Sequence, residues 1–250
     1  MTPPAASGAL ATLFHDAERS RAPDYEVAWY AARLPREAGT QLDAMCGSGR
    51  LLVPLTEAGF SVHGVDKSES RLASSRAKLD AISRSTQLFR QNVTALNLPF
   101  RYAAAFMGGG AFQRLVDRVA ALDALLRLRA HLVEPGIVLL DLVIPAHAEH
   151  PPGAPVIEVR QAVLDDGSRI ACRSETTVDA ARQAVRIQRR FERRDGGRII
   201  EREDEIRAMT WYSEDQIGTL LGDSGYRDVR IEPSACVGGD ARYFAVSARA

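Results

Sequence analysis

The sequence predicts an α/β fold: a nucleotide-binding strand–helix alternation, interrupted late in the chain by an antiparallel β insertion. Three observations carry that expectation. Residues 41–66, QLDAMCGSGRLLVPLTEAGFSVHGVD, read as strand, glycine turn, helix and second strand ending on an acid. Residues 137–144 form a nearly continuous apolar run, as expected for a strand buried on both faces. From His150-Pro151-Pro152-Gly153 onward the alternation stops, and period-two runs between turn residues replace it.

Within the first segment, Leu42 opens an apolar run that stops at Asp43, and Cys46-Gly47-Ser48-Gly49 makes a tight turn. Leu51, Leu52, Leu55 and Ala58 recur at helical spacing, with Gly59 at the C-cap position. Residues 61–65 alternate as a short strand and end on Asp66. Glycines 47 and 49 let a ligand approach the backbone, since no Cβ stands in the way. An acid about 20 residues past such a turn sits where a ribose diol needs acceptors. A dinucleotide site would want a third glycine, and Leu52 occupies that position. Asp43, a carboxylate ahead of the turn, suits a ligand with a positive end, such as a methionine amino group or a sulfonium. S-adenosylmethionine (SAM) is therefore favoured over NAD.

Asp43 to Gly49 followed by Arg50-Leu51-Leu52 resembles motif I of the class I SAM-dependent methyltransferases, D-x-G-x-G-x-G, with Met45 at the first glycine. Val65-Asp66-Lys67-Ser68 resembles that family's G-V-D-x-S strand end, and Gly110 to Leu115 its S-F-Q-H-L stretch, with Arg114 where His is common. The resemblance implies a Rossmann-like methyltransferase fold: a mostly parallel seven-stranded sheet with an antiparallel last strand, plus the inserted antiparallel sheet. It implies SAM as cofactor, held by Asp43, Cys46, Gly47 and Gly49 at the methionine end and by Asp66 with Lys67 at the ribose. Asn92 and Val93 are expected at the adenine, with Gly108 at the carboxyl edge of the sheet.

Lys and Arg total 32 against 32 Asp and Glu, so the chain is neutral. That offers no electrostatic argument for nucleic acid or an anionic membrane surface as partner. Three widely spaced cysteines form neither a disulfide framework nor a metal-ligand pattern, which fits a reducing, cytoplasmic setting and no metal. The first residues show no signal-peptide pattern, and no apolar run approaches a membrane span.

In order, residues 9–20 predict a short helix, and Asp24 is read as the N-cap of a second running to about 36, carrying Tyr25, Trp29 and Tyr30. The resemblance implies that residues 1–38 are N-terminal helices covering the site and that 39–148 are the SAM-binding core. Ser68 is read as the cap of a helix over 69–83, and residues 86–91 as the third strand. Residues 102–107 predict a fourth strand followed by Gly108-Gly109-Gly110, and residues 112–133 one amphipathic helix. His131 near its end suits the negative helix terminus. Asp141 inside the apolar run needs a partner that the sequence does not name.

Residues 149–210 are the insertion: four antiparallel strands, with Asp195-Gly196-Gly197 as the strongest hairpin signal. Folding there brings Arg189 and Arg190 opposite Glu203 and Asp204, a self-neutralised solvated face. The resemblance makes this insertion a platform over the acceptor, with a homodimer contact as a further expectation. Residues 211–250 complete the core, with Ser213 and Gln216 as a capping box and two final strands. His147, after the fifth strand, is the candidate base; Tyr30, Gln113, Trp211 and Arg242 are candidates on the acceptor side. The expected activity is methyl transfer from SAM to N or O of a small-molecule acceptor. The alternative is a SAM-binding regulatory protein without turnover.

Overall fold

The computed structural model describes residues 8–145, 155–234 and 242–250. Its centre is a seven-stranded sheet. The strands are β1 (Gln41–Ala44), β2 (Val62–Asp66), β3 (Leu88–Arg90), β4 (Tyr102–Met107), β5 (Leu132–Ile144), β10 (Arg227–Pro233) and β11 (Arg242–Arg249). They lie in the order β10-β11-β5-β4-β1-β2-β3. β1 to β5 are mutually parallel, and β11 runs antiparallel to both neighbours. The mostly parallel sheet with an antiparallel last strand is the one expected.

β1 and β4 are buried along their whole length. Their alternate side chains feed two cores, so an uninterrupted apolar strand is what burial on both faces demands. Ala105 and Met107 pack with Leu125 and Leu128 of α5 (Arg118–Ala130) and with Ile217, Leu220 and Leu221 of α6 (Glu214–Asp223). Ala104 and Phe106 face the opposite core, with Leu52 and Leu55 of α3 (Leu52–Glu57) and Leu72 and Leu79 of α4 (Glu69–Ala81). β1 connects to β2 on one side and neighbours β4 on the other. The strand order therefore reverses between β1 and β4, and in open α/β sheets that crevice holds the ligand.

The inserted sheet consists of β6 (Val156–Val163), β7 (Arg169–Asp179), β8 (Ala184–Asp195) and β9 (Arg198–Thr210), in that order. The β8–β9 turn falls at Gly196-Gly197, both at positive φ. α1 (Ala9–Arg19) packs Leu10, Ala11 and Phe14 against Ile170, Cys172 and Phe191 of this sheet. It starts without a cap of its own; the Glu203 carboxylate on β9 accepts from the N–H groups of Gly8 (3.1 Å) and Leu10 (2.9 Å) instead.

Several local expectations are corrected. The predicted 112–133 helix is split: a single 3-10 turn, Phe112–Arg114, precedes α5, whose N-cap is Asp117 accepting from Val119 N at 2.9 Å. α2 (Asp24–Ala31) starts one residue earlier than the cap reading, with Pro23 as N-cap. α4 ends at Ala81; Ser68 holds the N-cap position as read but makes no side-chain capping bond, its hydroxyl lying 3.0 Å from that of Ser70. His131 ends α5 buried, with Nε2 accepting from Leu98 N and Nδ1 donating to Arg127 O. The capping box at Ser213 and Gln216 forms as expected.

Candidate functional site

The glycine turn after β1 is set by four hydrogen bonds. Cys46 N donates to Val65 O, Gly47 N to the Asp66 carboxylate at 3.0 Å, Gly49 N to Cys46 O and Val53 N to Gly49 O. Asp66, at the tip of β2, thus bridges the turn and the start of α4, since its other oxygen accepts from Ser68 N at 2.8 Å. Gly49 sits at φ +80°, and a Cβ there would lie 2.6 Å from Ser75 Oγ. Met45, in the first motif-glycine position, also adopts a left-handed φ of 64° and packs its side chain on the sheet core.

Asp43 lies under the turn and is 3% exposed. Burial holds its carboxyl well above the usual carboxylate range, opposed by Arg50, and the Leu52 N–H at the start of α3 donates to it. Cys46 is buried beside it, and desolvation pushes its thiol well up, so it stays protonated. Gly108 lies against the Tyr30 hydroxyl, 3.1 Å from the position of an added Cβ.

The N-terminal helices are tied to this turn. On α1, Asp16 accepts from Ser48 Oγ and Lys78 Nζ, each at 2.6 Å, and from Ser74 Oγ. Glu26 of α2, 3% exposed, makes a two-point ion pair with Arg50.

At the carboxyl end of the sheet lies a cavity of ≈ 750 Å³, counted out to its open mouth. Four of the candidate cofactor residues share its wall: Asp66, Lys67, Asn92 and Val93. Asp43, Cys46, Gly47, Gly49 and Gly108 lie outside the wall, beneath and beside it. Asn92 Oδ1 accepts from Thr94 N at 3.3 Å, capping a short 3-10 turn, and keeps a second lone pair.

The acceptor-side candidates are placed differently. Tyr30 is fully buried and donates its hydroxyl to Asp141, which also accepts from Ser234 Oγ at 2.6 Å; these are partners the sequence left unnamed. Gln113 is fully buried as a staple: its amide nitrogen donates to Val143 O and Thr210 O, and its oxygen accepts from Val143 N. Both amide hydrogens are therefore spent on backbone. Trp211 is 6% exposed and Arg242 is exposed at the start of β11; neither is in the cavity wall. His147 lies outside the described residues.

Three further arginines converge on the site from separate elements. Arg71 of α4, Arg114 of the turn after β4 and Arg207 of β9 all line the cavity, with Glu205 beside Arg207. Arg207 Nε pairs with Glu205 at 2.8 Å, and Arg207 Nη2 donates to His15 Nε2 at 3.0 Å. Burial together with the neighbouring arginines lowers Arg114 to about 10 and Arg207 to about 9. His15 falls to about 2, through burial and then Arg207 and Arg189. The sequence reading put the insertion's charges on one solvated face. Arg190 and Asp204 do pair there, exposed, at 2.8 Å; Arg189 and Glu205 turn inward instead, their side chains 12% and 3% exposed. The readable signal was the inverted pattern of β9, where Glu203, Glu205 and Arg207 share a face and Ile206 points outward, 47% exposed.

Comparison with known proteins agrees with this geometry. Residues 42–136 match the methyltransferase domain family. A putative methyltransferase of Geobacillus sp. (strain WCH70), GWCH70_2453, is 26% identical over 190 residues, spanning 76% of this chain and 74% of the relative. A crystal structure of a SAM-dependent methyltransferase from Clostridium acetobutylicum ATCC 824 superposes with TM-score 0.76 at 16% identity, over 94% of this chain and 95% of that one. The sugar N-methyltransferase KedS8 from Streptoalloteichus sp. ATCC 53650 superposes with TM-score 0.70 at 19% identity, over 92% and 90%. The chain has the fold of the class I SAM-dependent methyltransferases with an inserted antiparallel sheet, and its residues 42–136 match a methyltransferase domain. Its cofactor is SAM. The residues fit that group: a cradle of positive-φ glycines at 47 and 49, a strand-tip carboxylate at Asp66, and one cavity that joins Asp66 to Asn92.

Proposed function

We propose that this enzyme moves a methyl group from SAM to a nitrogen or oxygen of a small-molecule acceptor seated between the sheet's carboxyl edge and β9. The single observation that carries the reading is the cavity itself: Asp66 and Asn92 at one end and Arg207 and Ala208 of the inserted sheet at the other. Similarity to a sugar N-methyltransferase favours nitrogen as the receiving atom.

In this reading the turn at Cys46 to Gly49 holds the methionine end of SAM, with the buried Asp43 carboxyl beneath it. Asp66 and Lys67 hold the ribose, Asn92 accepts from the adenine amine, Val93 packs on the ring, and Gly108 allows close approach at the sheet edge. SAM, when bound, supplies an electrophilic methyl carbon on a sulfonium. The protein's share is orientation and exclusion of water, and well-oriented reactants gain up to about 7–11 kcal/mol. α1 and α2, locked onto the turn through Asp16–Ser48 and Glu26–Arg50, keep solvent from the methionine end. The arginine-lined wall disfavours an acceptor ammonium and so favours its neutral, nucleophilic form.

The test is a radiolabelled methyl-transfer screen of amino sugars, amino acids and phenols, run beside calorimetric titration with S-adenosylhomocysteine (SAH). Saturable SAH binding with transfer to an amine is the expected result. SAH binding with no transfer to any amine or hydroxyl acceptor would favour the regulatory alternative.

A further inference from the structure

We propose that the outward face of the inserted sheet docks a partner protein through an acidic surface, whose carboxylates are taken by arginines of β7 and β8. The strand register places those arginines. Arg169 of β7 stands directly opposite Arg194 of β8, and Arg173 directly opposite Arg190. Like charges placed opposite one another across a strand pair lower the stability of a sheet. The fold thus keeps two unfavourable pairs on a face where any polar side chain would satisfy solvent. The same four arginines line a groove of ≈ 1590 Å³, counted out to its open mouth, with Glu192 as the acid in its wall. Acids cover part of this charge. Glu192 is shared between Arg194 at 2.8 Å and Arg202 at 3.1 Å, Asp204 takes Arg190 at 2.8 Å, and Glu175 lies 3.5 Å from Arg173. The exposed Arg169 guanidinium has no ion pair among the described residues.

The chemistry of the face selects the partner. β6 to β9 contain no lysine, and their one aromatic residue, Phe191, is buried on the opposite face against α1. A single-stranded nucleic acid would want aromatic platforms beside the positive charge. Aliphatic side chains flank the arginines instead. On β6, Val159 lies opposite Arg173 and Val163 opposite Arg169, and they are 62% and 63% exposed. On the β9 side Ile206 is exposed as well. Arginine set among apolar side chains, without lysine, is the composition of a protein interface. A guanidinium meets a carboxylate through two parallel hydrogen bonds, which fixes orientation as well as charge. A second copy using the same face would set arginine against arginine, so the partner presents a different, acidic surface. Arg189 and Glu205 point to the other side of the sheet. The partner therefore sits on the back of the sheet that closes the cavity, and the cavity wall is left as it is.

The experiment titrates the full chain, at about 0.15 M ionic strength, with fluorescein-labelled poly-L-glutamate and with poly-L-glutamine as the neutral comparator. A DNA duplex and vesicles of phosphatidylserine in phosphatidylcholine are run beside them. Poly-L-glutamate should bind saturably, and poly-L-glutamine at least tenfold more weakly. Arg169→Glu and Arg173→Glu should each weaken poly-L-glutamate at least tenfold, and Val159→Ser severalfold. Arg84→Glu, exposed beyond α4, is the control and should change binding less than twofold. Urea unfolding supplies an independent reading. Arg169→Glu puts an acid opposite Arg194, so its midpoint should rise while its binding falls, an opposition that a purely structural surface does not produce. No binding of poly-L-glutamate, equal loss in Arg84→Glu, full affinity in both glutamate variants, or tighter binding of the duplex or the vesicles would each overturn the proposal. An unchanged or lowered midpoint in Arg169→Glu would overturn its premise that the opposed arginines are kept at a cost.

Discussion

Asp66→Asn separates two roles that one carboxylate is expected to play. In the folded chain Asp66 is 8% exposed, and each oxygen accepts one backbone N–H, from Gly47 at 3.0 Å and from Ser68 at 2.8 Å. Asparagine keeps the shape but replaces one oxygen by an NH2 group, so one of these bonds becomes donor against donor. A charge-assisted hydrogen bond contributes about 1.5–3 kcal/mol, and folding stability should fall by about that amount. Losing the charged acceptor for a ribose diol subtracts a similar amount from cofactor binding, roughly 10- to 150-fold in Kd. Urea unfolding reads the first quantity, and calorimetric titration with SAH, run well below the unfolding midpoint, reads the second. If stability falls as stated while SAH affinity stays within threefold of wild type, Asp66 only ties the turn to α4, and the ribose assignment is refuted.

Other perturbations give equally definite outcomes. Gly49→Ala meets Ser75 Oγ at 2.6 Å and Val53 Cγ2 at 2.8 Å, on top of a positive φ, whereas Gly197→Ala at φ +86° meets nothing within 4 Å. Both should lose about 1–2 kcal/mol for backbone conformation, and Gly49→Ala about 1–3 kcal/mol more for overpacking; equal losses in urea unfolding would contradict the packing argument. His15 has a folded pKa of about 2, below the unfolded 6.5, so its contribution is complete above pH 6.5 and is lost as pH falls toward 2. Wild type should therefore lose about 2 kcal/mol between pH 7 and pH 5 that His15→Gln does not lose, a difference that parallel unfolding curves would reveal or exclude. Tyr30→Phe deletes the hydroxyl donated to Asp141, itself 1% exposed, and should cost about 1.5–3 kcal/mol; an unchanged urea midpoint would rule out a stabilising role for that bond.

What could be read from the sequence was whatever a short window contains. The turn at 46–49, the β2 acid and the Ser213–Gln216 capping box each depend on residues a few positions apart. So does the Gly196-Gly197 hairpin, whose period-two strands fixed Arg190 opposite Asp204. What escaped depends on distance. Asp141 meets Tyr30 from 111 residues away and Ser234 from 93, and no local pattern pairs them. The break at 115–117 was hidden because an apolar period of helical length runs on through Leu115 and Val116, although the 3-10 turn stops at Arg114 and Asp117 caps α5. Arg189 looked solvated because an alternating charged strand reads alike from either face; only the docking of α1 decides which face is inside.

That docking also imposes an order of assembly on a chain made from its N-terminus. The carboxylate that holds the first turn of α1 belongs to Glu203, 195 residues beyond Gly8. At about 5–20 residues per second, ribosomal synthesis leaves α1 waiting on the order of 10–40 s for its anchor. The parallel strands β1 to β5, and the residues that tie α1 to the glycine turn, are all synthesised before that. The first turn of α1 therefore gains its cap only when the last strand of the inserted sheet is made, although the rest of the helix meets partners already synthesised.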